Sequence, residues 1–161
     1  MFLALAMVLP FLTGQIPEIG RALSPMHIPV MLCGYFCGPW YGLAVGFISP
    51  LLRFALFGMP PILPKGLAMC FELATYGVSV GLLYRSLPKK KINVYVSLIL
   101  AMILGRIVWG IASAIIYGFG GSEFGWAAFI AGGIVGSFPG IIVQIVLIPL
   151  LVIALEKHVN K

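Results

Sequence analysis

Charge is what this chain has least of. Of its 161 residues only 9% are charged, and aspartate is absent. A soluble domain carries about 25% charged residues. With 61% hydrophobic residues and a mean hydropathy of +1.14, the chain could not cover its own surface with polar groups in water. An ordinary cytosolic enzyme, a disordered chain and a small secreted disulfide domain are thereby excluded. Cysteine is scarce too. Cys33, Cys37 and Cys70 all lie in apolar runs. Cys33 and Cys37 are four apart but lack the further Cys or His ligands that a metal site needs, so they read as small packing residues. Long polar stretches are also missing, which leaves no room for a soluble domain. What is left is an all-α integral membrane protein. At about 20 residues per spanning helix, the length allows five or six spans in a single transmembrane domain over residues 1–161.

The charges that are present are unevenly placed. Ten Lys and Arg oppose four Glu, for a net charge of +6. Most of the excess lies in residues 85–91, with Arg85, Lys89, Lys90 and Lys91, and in 157–161, with Lys157 and Lys161. The positive-inside rule explains this pattern more simply than nucleic-acid binding does.

The apolar runs give the spans. Residues 1–13 are short for a crossing and begin without Lys or Arg, so the recorded start is expected to be late; Pro10 and the missing basic region argue against a signal peptide. Residues 14–25 read as a polar loop, and runs at 27–38 and 40–57 form a hairpin about Gly38-Pro39. Three prolines make 58–64 a loop. Further spans follow at 65–83 and 94–117, separated from the final stretch by a glycine-rich loop at 118–125 containing Glu123. Residues 126–155 are too long for one straight span and are interrupted by Gly132, Gly133, Gly136, Pro139 and Gly140. They read as a short non-spanning segment and a final span from Pro139. Irregular backbone at membrane depth needs protein cover or a cavity, which points to a site near 130–140. Six spans with the basic ends inside place both termini, the 38–40 turn and 85–92 in the cytoplasm, and 14–25, 58–64 and 118–137 outside. Arg21 and Lys65 run against the rule but are outnumbered. No repeat of the kind that builds inverted-repeat carriers is visible.

Three ionisable residues fall inside spans: Arg53, Glu72 and Arg106. Facing lipid, each would cost a few kcal/mol, so they should face the bundle interior. At 1.5 Å per residue they lie about 6, 10 and 16 Å below the external ends of their spans. A polar pocket open to the outside follows. Glu72 and Arg106 could simply pair. Arg53 is then left over, unless it snorkels to the surface. Two cations against one anion suit a ligand with one carboxylate, which an Arg fork binds bidentately. Tyr76 is one turn from Glu72 and Trp109 three residues from Arg106. Gln144 within the last span and His27 at the head of the second complete the candidate binding set. Small residues recur at four-residue spacing: Gly34/Gly38, Gly42/Gly46, Gly77/Gly81 and Gly132/Gly136/Gly140. Most should serve close helix packing, and the Gly42/Gly46 pair is a candidate docking face for another subunit.

Catalysis has little support. No HExxH, GxSxG or GxxxxGK[ST] occurs. Without a Walker motif, active transport would need a separate ATPase. No cofactor, metal or nucleic acid is expected.

The stretches VLPFLTGQIP at 8–17, SPMHIPV at 24–30, GMPP at 58–61 and FELATYG at 71–77 resemble those of substrate-binding S components of energy-coupling factor (ECF) vitamin transporters. The similarity extends over nearly the whole chain, is strongest in these stretches, and is to a subgroup labelled only as S components or linked to pantothenate. It implies a six-helix bundle in a bacterial-type plasma membrane that binds one vitamin near its external face. It further implies docking on a transmembrane coupling subunit driven by two ATPase subunits, and tipping in the membrane to release the vitamin inside. The family's small-xxx-small docking pattern on the first helix is matched here only in part, by Ala4 with Val8. Pantothenate fits the count of two Arg and one Glu; pyridoxine or hydroxymethylpyrimidine would suit a paired Glu72–Arg106, with Tyr76 or Trp109 stacking on the ring. A ligand-free membrane scaffold or assembly protein is the alternative from another class.

Overall fold

A computed structural model describes residues 1–13, 16, 18–19, 25–58, 65–119, 125–136 and 138–159. The loops expected at 14–25, 58–64 and 118–125, with Arg21 and Glu123, lie largely outside them. The described residues are helical and contain no strand. Helix α1 spans Phe2–Val8 and tightens into a 3₁₀ turn over Leu9–Thr13, where Pro10 provides no backbone N–H for an α-helical bond. Then come α2 (His27–Phe36), α3 (Pro39–Phe57), α4 (Leu67–Ser86), α5 (Lys91–Phe119), α6 (Trp126–Ile130) and α7 (Phe138–Val159). Between α6 and α7 the chain makes a π-helical turn, Ala131–Val135. This is the glycine-interrupted stretch, and it proves irregular without leaving the helical family.

Helices α3, α4, α5 and α7 are long and apolar enough to cross a bilayer, whereas Phe2–Leu12 and α2 are shorter apolar helices. The chain is therefore a multi-pass membrane protein. On α5, Ile99, Ile103, Ile107, Ile111 and Ile115 recur every four residues and are all exposed. Such a stripe has no place in water but suits lipid tails.

Helix α4 is the centre of the bundle. Half of its spanning window is buried, against 22–28% for the other three long helices. Glycines make that position possible. A methyl group added at Gly42 would meet the Gly77 carbonyl oxygen at 2.6 Å and the Gly34 Cα at 2.9 Å, and one at Gly77 would overlap the Gly42 carbonyl. Helices α2, α3 and α4 thus touch backbone to backbone at one point. Gly46 continues the contact against the Leu73 carbonyl. The docking face expected at Gly42/Gly46 is therefore turned inward: both glycines are buried against this chain's own α4. Four-residue spacing sets up a close approach but does not say which neighbour approaches. Ala4 and Val8 stand on the exposed side of α1, while Ala6 and Met7 face the core.

The hairpin between α2 and α3 turns on Gly38, whose φ of 109° is open to glycine and strained for other residues. Pro39 then starts α3 in the first turn, where its missing N–H costs nothing. This turn packs against Arg85 at the end of α4. Tyr35 donates to the Val94 carbonyl at 2.9 Å and meets Ser97 Oγ at 3.0 Å, joining α2 to the start of α5. Gly38, Arg85 and the start of α5 therefore share one end of the bundle. At the other, Phe57 and Phe11 meet edge to face with ring centroids 5.0 Å apart.

Candidate functional site

Glu72 and Tyr76 are one turn apart on the buried side of α4. The Tyr76 hydroxyl donates to Glu72 Oε1 at 3.0 Å. Its ring needs space on α5, and Gly105 supplies it: a Cβ there would collide with the Tyr76 ring. The next residue, Arg106, reaches past that notch and places one guanidinium nitrogen 3.0 Å from the same carboxylate oxygen. From α2, His27 brings Nε2 to 3.6 Å of Glu72 Oε1 and stacks at a tilt on Tyr76, centroids 5.1 Å apart. Three helices thus converge on one carboxylate. Glu72, Tyr76 and His27 are 2%, 1% and 4% exposed, whereas the Arg106 side chain is 17% exposed and forms the accessible edge of the cluster.

Beside that edge, the Trp109 and Phe129 rings lie 6.0 Å apart at 35°. A Cβ at Gly110 would strike the Phe129 ring, so α6 seats on α5 directly above Arg106. The sequence pattern singles out neither Phe129 nor Gly105. The aromatic stands in a glycine-rich segment with no helical period, and the notch is visible only once α4 and α5 are side by side. Gln144 is buried within α7 at 3% exposure.

Arg53 is elsewhere. It lies two turns beyond Gly46 on the same face of α3. The antiparallel register set by Gly42–Gly77 and Gly46–Leu73 places it level with Gly66, about 9 Å along the axis from Glu72. Its guanidinium carbon sits 5.6 Å from the centroid of Phe57. One guanidinium nitrogen is buried with no hydrogen-bond partner among the described residues.

The arrangement separates the three interior charges into a closed pair and an open cation. No group of three or more His, Cys, Asp or Glu that could hold a metal occurs among the described residues.

A family model described as "ECF transporter, substrate-specific component" matches residues 1–152. No curated protein and no solved structure matches the chain.

Proposed function

The chain belongs to the family of ECF transporter substrate-specific components, which are substrate-binding transporter subunits, and from that premise we propose that it captures pantothenate for an ATP-driven importer. In this reading one transmembrane domain crosses a plasma membrane six times. The two short helices, Phe2–Leu12 and α2, supply the two crossings beyond those of the four long ones. The lysine-rich end, with both termini, faces the cytoplasm, in line with the positive-inside rule. A transmembrane coupling subunit and two ATPase subunits would supply the energy, and exposed Ala4 and Val8 belong to a face of α1 that could meet the coupling subunit.

The choice of pantothenate is carried by Arg53. Glu72 neutralises Arg106, so one positive charge remains in the outer half of the bundle, with a guanidinium nitrogen that has no acceptor among the described residues. A carboxylate on the ligand would satisfy it, while the hydroxyl and amide groups of the ligand would reach towards Arg106 and Trp109. Gently purified protein analysed by mass spectrometry should carry pantothenate. Protein that retains no small molecule would instead fit a scaffold role. Uptake by cells should require co-expression of the coupling subunit and ATPases, and uptake by this chain alone would contradict the proposal.

One observation favours a second reading. The 3.0 Å Glu72–Arg106 pair is already closed, and a closed pair suits an uncharged ring such as pyridoxine or hydroxymethylpyrimidine, stacked on Trp109. The same mass spectrum separates the two substrates.

A further inference from the structure

The lysine-rich end of the bundle takes no part in the vitamin site. Lys89, Lys90 and Lys91 are exposed at the turn into α5, and the last turns of α7 bring Ile153, Glu156 and Lys157 against them to form an open groove. Four lysines against one glutamate make its mouth strongly cationic. A second depression shares Ile153 and Lys157 and continues between α5 and α7 over Tyr95, Leu150 and Ala154. Helical spacing builds this continuity. Lys91 and Tyr95 are one turn apart on α5, while Leu150, Ile153, Ala154 and Lys157 form a single stripe on α7. Ile148 and Val152, which tie α7 to the core, are buried on its opposite side. The groove is therefore cationic at the membrane surface and apolar a turn or two below it.

We infer that this groove holds an anionic phospholipid, its phosphate among Lys89, Lys90, Lys91 and Lys157 and an acyl chain along Tyr95, Leu150 and Ala154. Lysine clusters beside membrane helices attract anionic headgroups. A free phosphate would use the lysines and leave the apolar trough without a role. An amphiphile uses both parts and matches their order along the membrane normal.

The test is native mass spectrometry of the full chain in detergent, offered phosphatidylglycerol or phosphatidylcholine with identical acyl chains. The intact protein should retain phosphatidylglycerol at least about tenfold better. A Lys90→Gln/Lys91→Gln/Lys157→Gln variant should lose that preference, and the corresponding triple Arg variant should keep it. Ala154→Trp, which fills the trough and leaves every charge in place, should also reduce retention. Millimolar inorganic phosphate should not displace the lipid. Equal retention of the two lipids, an unchanged preference in the Gln variant, or no effect of Ala154→Trp would each overturn the inference. Displacement by inorganic phosphate would do so too, by assigning the groove to a soluble anion. Should the Gln variant fail to elute as a monodisperse species, the Arg variant and Ala154→Trp still decide, since neither removes charge.

Discussion

Two arginines lie inside this bundle in opposite circumstances. Arg106 shares Glu72 Oε1 with the Tyr76 hydroxyl, and His27 stands 3.6 Å away. Arg53, about 9 Å nearer the other end by helical rise, lies over Phe57 with a buried nitrogen that meets no acceptor among the described residues. The first region is complete by itself. The second requires something more. A buried ion pair contributes little net stability but is costly to break, so the Glu72 cluster reads as architecture that fixes α2, α4 and α5 relative to one another. Arg53 has no such partner among the described residues, and it is the cation that the proposed reading assigns to the charge of the ligand.

The sharpest way to break this contrast is at the closed pair. Glu72→Ala leaves the half-buried Arg106 without its counter-ion and should cost up to about 3–5 kcal/mol, seen as loss of folded, monodisperse protein in detergent. Glu72→Met/Arg106→Met should recover most of that loss. A fully stable Glu72→Ala protein would mean that the cluster is not a unit. The glycine contact that holds α4 in place comes next. Gly77→Leu forces a side chain into the Gly42 carbonyl and should destabilise by about 3 kcal/mol, the upper range for overpacking, as a lower thermal midpoint.

At the open cation the effects should move from stability to binding. Arg53→Gln should change stability by less than about 1 kcal/mol, since no ion pair among the described residues is broken. It should weaken binding of a carboxylate ligand by about 10- to 100-fold, the worth of a charged hydrogen bond. The smallest effect belongs to Phe57→Leu, which removes the ring beneath Arg53 and should cost about 0.5–1 kcal/mol in ligand affinity or stability. Titration calorimetry alongside thermal melting separates the two.

Much of this contrast is legible in the sequence, and the reason is the scarcity of charge. In a chain this apolar, Arg53, Glu72 and Arg106 stand out without any alignment. The long helices are legible too, because prolines and glycines punctuate them: α3 begins at Pro39 and ends before Gly58, within a residue of the expected run. Contacts between helices are harder to read. Nothing in the spacing of Gly42 and Gly46 distinguishes a neighbour within the chain from a partner outside it. Gly105 matters only because Tyr76 lies opposite, and Phe129 only because Gly110 admits its ring. The pairing of Glu72 with Arg106 was one of two readings open from sequence, since depth along a helix does not give direction around it.

The central claim is that Arg53, and not Arg106, recognises the charge of the ligand. It is tested most directly by titrating pantothenate and its uncharged alcohol analogue into the intact protein and into Arg53→Gln. The account predicts that the intact protein prefers pantothenate by at least about tenfold, and that Arg53→Gln binds both compounds with the same reduced affinity. If Arg53→Gln discriminates between them as well as the intact protein does, the claim is wrong.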